Sequence, residues 1–96
     1  MKPVRFHPSA ESEMIEAASY YESQQHGLGG RFLVCVQAAI NRIQLNPELF
    51  PKVDGDVRRC LTSTFQFGVM FRIQTEELQI VAVTHLHRKP GYWKNR

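Results

Sequence analysis

The sequence has few features that would fix its fold covalently or place it in a membrane. It contains only two cysteines, Cys35 and Cys60, which are too few for a disulfide framework. No apolar run approaches the roughly 20 residues needed to cross a bilayer. The opening stretch, MKPVRFHPS, lacks the apolar core of a signal peptide. These absences predict a reduced, cytoplasmic protein with no membrane partner.

Recognisable catalytic patterns are also missing. There is no nucleophile elbow and no serine-protease-like signature. Gly29 and Gly30 lack the rest of a phosphate-cradling loop, so we interpret them as part of a turn. His85 and His87, with His7, are the candidate metal ligands, but no cysteine or carboxylate stands in register with them. We therefore predict neither a metal site nor a cofactor.

The first half of the chain contains two helical patterns behind a short extended segment, residues 4–7. Ser9 is predicted to cap the first helix, and Gly27 suits its left-handed end. Pro47 ends the second helix. Two such helices joined by a few residues pack as an antiparallel hairpin. The apolar positions recur on one face of each helix: Ala10, Met14, Ala17, Ala18 and Tyr21, then Phe32, Val36, Ala39, Ile40 and Ile43.

The second half predicts three strands that follow a loop at residues 47–54. Residues 57–61 form a more polar outer strand. Residues 78–84 are nearly continuously apolar, as in a strand that is covered on both faces or central in its sheet. The middle strand shows a period of two, with apolar residues at Phe65, Phe67, Val69, Phe71 and Ile73. The predicted order is β-α-α-β-β-β. We expect an α+β fold, a single domain over residues 1–96, with the helical hairpin on one face of a small antiparallel sheet.

The positive charge is concentrated in the second half. Residues 1–55 carry five Lys/Arg and six Asp/Glu, whereas residues 56–96 carry seven and three. We place this charge on the open face of the sheet, with Arg58, Arg72 and the C-terminal tail. A basic surface favours an anionic partner such as RNA, DNA or an acidic protein, although a solvated basic face explains it equally well. The helix glutamates are interpreted as solvated: Glu11, Glu13, Glu16 and Glu22.

The C-terminal tail, residues 85–96, is both basic and aromatic. Its cations can match phosphates, and its rings can stack on bases or anchor a protein interface. An equally acceptable interpretation is that Trp93 folds back and caps the core. The cations and rings concerned are Arg88, Lys89, Tyr92, Trp93, Lys94 and Arg96.

Several motifs, taken in order, resemble those of a known family. They are Phe6-His7-Pro8-x-Ala10, Tyr20-Tyr21, the stop at Pro47, and His85-x-His87-Arg88-Lys89-Pro90-x-Tyr92-Trp93-x-x-Arg96. Together they resemble the RelE/ParE superfamily of toxins from bacterial type II toxin–antitoxin modules, often labelled plasmid stabilisation proteins. The resemblance implies a small cytosolic toxin that a cognate antitoxin holds inactive by wrapping an extended or helical segment over it.

The two main branches of that superfamily differ in their target. RelE-like members cleave mRNA in the ribosomal A site, and ParE-like members block DNA gyrase. Gly68 stands where the RelE-like branch has an arginine on its central strand, and the Pro90-x-Tyr92-Trp93 ending is nearer the ParE-like branch. We therefore expect a binding inhibitor of gyrase rather than an enzyme. The expected target-binding residues are Arg72, Arg88, Lys89, Tyr92, Trp93 and Arg96.

Two alternatives remain open at this point. The first is a ribosome-dependent mRNA endonuclease, which the resemblance would assign to Arg58, His87, Arg88 and Tyr92. The second is a non-toxic relative with the same fold. In either case an exposed sheet edge could pair two copies of the chain as a homodimer.

Overall fold

The computed structural model describes all 96 residues and has the expected α+β architecture, with a helical hairpin packed on a sheet. Neither helix combines the length and the apolar character needed to span a bilayer. The elements in chain order are β1 (Val4–Phe6), α1 (Pro8–Gln24), α2 (Leu28–Leu45), a 3-10 turn (Pro47–Leu49), β2 (Lys52–Asp54), β3 (Val57–Leu61), β4 (Phe67–Ile73) and β5 (Leu78–His85).

The sheet has five strands in the order β1-β5-β4-β3-β2. The strands β2 to β5 are antiparallel to their neighbours, as expected, but β1 runs parallel to β5, with Val4 opposite Leu78. The sheet is therefore mixed rather than purely antiparallel. Hairpin links set the direction of β2 to β5, whereas the rest of the chain separates β1 from β5 and no local turn sets its direction. The predicted loop at residues 47–54 contains β2, which is too short to show a period.

Helix α1 begins at Pro8 and its cap is His7, two residues before the predicted cap at Ser9. The ring nitrogen Nδ1 of His7 accepts a hydrogen bond from the Ser9 N–H at 3.1 Å, so His7 and not Ser9 is the cap. Pro8 fits the first helical position because the N–H that it lacks would have no partner there.

The link between the helices is tighter than predicted, because α2 begins at Leu28, so Gly29 and Gly30, which were interpreted as part of a turn, lie in the first turn of the helix. Gly27 has φ 86°, the left-handed conformation expected for it. A side chain at Gly29 would meet α1, since its Cβ would lie 2.5 Å from the Ala18 carbonyl oxygen. The Glu22 carboxylate accepts hydrogen bonds from the N–H groups of Gly27 and Gly29, each at 3.0 Å. Glu22 therefore caps α2 and is not simply solvated.

Two hydrophobic cores lie on opposite faces of the sheet. The larger core fills the space between the helices and the sheet, and every apolar position predicted for α2 is buried in it. The smaller core lies on the other face, where the tail covers Val57, Met70, Val81 and Ala82. That face was expected to be open, but burying these side chains removes apolar surface from water and stabilises the covered state.

Strand β4 begins later than the alternation predicts. Phe65 and Gln66 have φ of 69° and 52°, so they form a turn before the strand. The Phe65 ring nevertheless packs against the core, with its centroid 4.8 Å from that of Tyr21 and 5.4 Å from that of Phe32. Packing of the Phe65 ring stabilises this left-handed turn. The apolar alternation continues through Phe65 and therefore does not show where the strand begins.

Candidate functional site

The C-terminal tail lies across the second face of the sheet in a series of turns. Its backbone is held by local bonds, including Arg88 N–H to His85 O at 3.0 Å and Lys94 N–H to Gly91 O at 3.2 Å. Trp93 is only 3% exposed and is the centre of the smaller core. The structure thus shows the alternative in which Trp93 folds back. Its ring is buried in this structure, which does not favour direct contact with a partner, and its assignment as a target-binding residue stays a prediction.

Arg96 is fixed by an ion pair with Glu13 on α1. Its two terminal nitrogens lie 3.0 and 3.2 Å from the two Glu13 carboxylate oxygens, and Nη1 also donates to the Val81 carbonyl at 3.0 Å. Glu13 accepts a further bond from the Val83 N–H at 3.1 Å. The two charged side chains are only 17% and 13% exposed. Arg96 therefore attaches the tail to the fold, and Glu13, which was interpreted as solvated, is a buried ion-pair partner.

Arg72 is also occupied within the molecule. Its Nε lies 3.0 Å from Asp56 Oδ1, and its Nη1 donates to Gln79 Oε1 at 3.0 Å and to the Arg96 carbonyl at 3.2 Å. The side chain is 19% exposed. Arg72 thus joins β4, β5 and the end of the tail, and little of its guanidinium faces water.

Arg88, Lys89 and Tyr92 form the part of the predicted site that reaches the surface. The Arg88 guanidinium carbon lies 3.8 Å from the centre of the Tyr92 ring, and Nη1 of Arg88 is 3.5 Å from a Glu13 oxygen. The Arg88 side chain is 55% exposed, and Lys89 is exposed without an ion-pair partner. Tyr92 is half-buried, its hydroxyl finds no hydrogen-bond partner, and burial raises the pKa of the phenol.

A cleft of about 420 Å³ opens between the tail and the second face of the sheet. Its lining carries the cations Arg59, Arg88 and Lys94. Arg59 lies on β3, opposite Met70. A Cβ at Gly68 would lie 2.8 Å from Met70 Cε and 3.4 Å from Arg59 Cγ and Cδ. The space above Gly68 is therefore filled by the Met70 side chain together with an arginine from the neighbouring strand. Arg59 was not among the predicted site residues, because only the register of β3 against β4 reveals this contact.

The residues of the nuclease alternative are not all brought together. Arg58 projects toward the helix side of the sheet, where it donates to the carbonyls of Glu48 at 3.1 Å and Phe50 at 2.7 Å. His87 is exposed, and its ring stacks on His85 with a centroid distance of 5.0 Å. This placement separates Arg58 from Arg88 and Tyr92. No group of three potential metal-ligating side chains lies together in the structure.

Comparison with known proteins identifies the family. A family model described as the ParE toxin of the type II toxin–antitoxin system parDE matches residues 4–90. A solved structure described as the chromosomal ParDE toxin–antitoxin system from P. aeruginosa has the same fold, with a TM-score of 0.69 and 17% sequence identity over 91% of this chain and 98% of that chain. No curated protein matches the chain. The family match spans most of the sequence, and the chain belongs to the ParE toxin family of type II toxin–antitoxin systems.

Proposed function

We propose that the protein is a toxin that binds and inhibits DNA gyrase, and that a cognate antitoxin neutralises it by covering its surface with an extended or helical segment. The match to the ParE family over residues 4–90 is the observation that carries this proposal. Gyrase acts in the cytoplasm, so the proposal places the toxin there as well. Inhibition by binding requires no catalytic group of its own.

The geometry favours a binding surface made from the exposed part of the tail. Arg88 and Lys89 present positive charge beside the half-buried Tyr92 ring, and Lys94 stands on the same segment with its side chain 66% exposed. Cations grouped on one face attract an acidic protein surface or DNA and speed the encounter with it. Trp93 and Arg96 support this surface from below, and Arg72 fixes its last residue.

A nuclease activity is the second candidate, and the cleft is the observation that favours it. Arg59 and Arg88 line the same cleft, and His85 stands beside them. Two guanidinium groups could stabilise the negative charge that develops on a phosphate, and an imidazole could move the proton of an attacking hydroxyl. This version of the site keeps Arg88, replaces Arg58 by Arg59 and His87 by His85, and does not use Tyr92.

Two assays on the purified protein test the proposal. In the first, the toxin is titrated into a gyrase supercoiling reaction with relaxed plasmid, with and without its antitoxin. We expect supercoiling to be inhibited in proportion to the toxin added and restored by the antitoxin. In the second, message integrity is followed in an in vitro translation reaction. Unimpaired supercoiling together with site-specific, ribosome-dependent message cleavage would establish the nuclease instead.

A growth experiment complements these two assays. Normal growth during overexpression without antitoxin would exclude both gyrase inhibition and message cleavage as toxic activities.

A further inference from the structure

We propose that Glu13 is the positioning residue of the target-binding surface, because its carboxylate fixes the tail that presents Arg88. This inference rests on the proposed function for its biological meaning, but the positioning itself is a property of this chain and can be measured without gyrase. The Glu13 side chain is only 13% exposed, so we infer that it acts through the residues that it holds.

The Glu13 carboxylate joins three elements at one point. It stands on α1, accepts the Val83 N–H of β5 at 3.1 Å, and receives both terminal nitrogens of Arg96 at 3.0 and 3.2 Å. Arg88 Nη1 lies 3.5 Å away on its open side. A charge-assisted bidentate pair of this kind is stronger and more directional than a neutral hydrogen bond. Glu13 therefore links the end of the tail to α1 and β5, in addition to the hold that Trp93 and Arg72 have on the tail.

The edge of β5 explains why the pair is needed. The short strand β1 pairs with β5 only as far as Phe6 opposite Ile80, because the chain turns into α1 at Pro8. Beyond that point the Val83 N–H is satisfied by Glu13 and the Val81 carbonyl by Arg96. Backbone groups at a covered edge are costly to leave unpaired, so the ion pair takes the place of the missing strand. It fastens the end of the tail to the sheet.

The consequence for Arg88 follows from the charges around Tyr92. The Arg88 and Arg96 guanidinium carbons lie 3.8 and 5.1 Å from the centre of the Tyr92 ring. Glu13 is the only carboxylate that pairs with either of them. Without its charge, two cations would share one ring and repel each other. We therefore expect Arg88 to leave its fixed position while Trp93 keeps the tail on the sheet.

The test compares Glu13→Gln with Glu16→Gln, a matched control on an exposed residue one turn along α1 that makes no hydrogen bond or ion pair. Amide hydrogen exchange of residues 86–96 reports the order of the tail, with the amides of β4 as the internal reference. Glu13→Gln is expected to speed exchange in the tail by about tenfold relative to β4, the size expected for the loss of one charge-assisted bond. The control is expected to leave exchange unchanged. Unchanged tail exchange in Glu13→Gln would overturn the proposal.

A second variant separates positioning from simple stability. Removing one member of a buried ion pair leaves an uncompensated charge, whereas removing both does not. The double variant Glu13→Gln with Arg96→Gln is therefore expected to regain stability but to inhibit supercoiling about tenfold less than the wild type. If inhibition returns together with stability, Glu13 is only a structural residue and the inference fails. If the wild type itself does not inhibit gyrase, the proposed function fails, and the exchange ratio still decides the role of Glu13.

Discussion

At the scale of single residues, the tail divides into side chains that build the fold and side chains that are free to bind. Trp93 is buried on the second face of the sheet, whereas Lys89 is exposed a few positions earlier. Composition alone could not separate them, because Trp and Lys both occur in binding tails and in structural caps. The division depends on where the tail turns, which Gly91 determines with a φ of 91°.

Substitution of Trp93 tests this division directly. Trp93→Ala is expected to lower the free energy of unfolding by about 3–5 kcal/mol, because it opens a cavity between Met70, Val81 and the tail. Lys89→Ala is the control and is expected to change stability by no more than about 0.5 kcal/mol. Equilibrium denaturant unfolding measures both. A Trp93→Ala midpoint equal to that of the wild type would show that the ring is not part of the core.

Tyr92 predicts a pH dependence at the alkaline end. Burial raises the pKa of its phenol above the ordinary value of 10.0, so the folded state holds the proton more tightly than the unfolded state. Its contribution to stability is therefore complete below about pH 10 and is lost as the pH rises through the folded-state pKa. Tyr92→Phe is expected to lose less stability than the wild type as the pH rises above 10. Part of the alkaline loss of stability is expected to remain in the variant, because burial also raises the pKa of Tyr21. Urea unfolding of both proteins across this range would contradict the account if the two curves fell equally.

At the scale of elements, long periodic segments were predictable, whereas short ones were predictable only in part: β1 was expected but its direction was not, and β2 was missed. The structure confirms four predicted elements, α1, α2, β4 and β5. Each had a clear hydrophobic pattern in the sequence: an apolar stripe on each helix, alternation in β4 and a continuous apolar run in β5. Strand β2 has only three residues, and the direction of β1 depends on a partner far along the chain. Helix α2 begins earlier than predicted because Glu22, which lies on α1, caps its first turn, and the sequence of α2 itself gives no sign of this cap.

The cap between the helices gives a prediction in the acid range. Hydrogen bonds from the Gly27 and Gly29 N–H groups hold the pKa of Glu22 below its ordinary value. The stabilisation is therefore present above the unfolded-state pKa and is lost as the pH falls through the lowered folded-state value. Glu22→Gln is expected to melt at a lower temperature than the wild type near neutral pH and at the same temperature in strong acid. Thermal melts at the two pH values measure this, with Glu16→Gln as control. If the melting temperature of Glu22→Gln were lower than that of the wild type by the same amount at both pH values, the charge of Glu22 would not stabilise the cap.

The candidate site was predictable in part, for reasons that also belong to this scale. Arg88 and Lys89 could be identified because they follow β5 in a tail that no strand pattern explains. Glu13 and Arg59 could not, because Glu13 meets Arg96 across 83 positions of sequence and Arg59 reaches Gly68 only through the register of β3 on β4. Contacts of this kind exist only after the sheet has formed.

At the scale of the whole molecule, the helices cover one face of the sheet and the tail covers part of the other. The outer strand β2 exposes Lys52 and Val53 at the sheet edge, and pairing of two copies there stays a prediction that sedimentation can test. Exposed cations occur on both sides of the molecule. Arg31 on α2 and Lys52 on β2 are exposed and lie outside the tail, so they offer a matched comparison with Arg88 and Lys89.

The most direct test of the central claim is the concentration of protein that halves gyrase supercoiling. It is measured for the wild type, for Arg88→Gln with Lys89→Gln, and for Arg31→Gln with Lys52→Gln, so that both variants lose two positive charges. We expect inhibition by the wild type, about tenfold weaker inhibition by the tail variant, and an unchanged value for the control variant. The tenfold change corresponds to about 1.4 kcal/mol of binding free energy at the tail. Equal inhibition by the two variants, or none by the wild type, would contradict it.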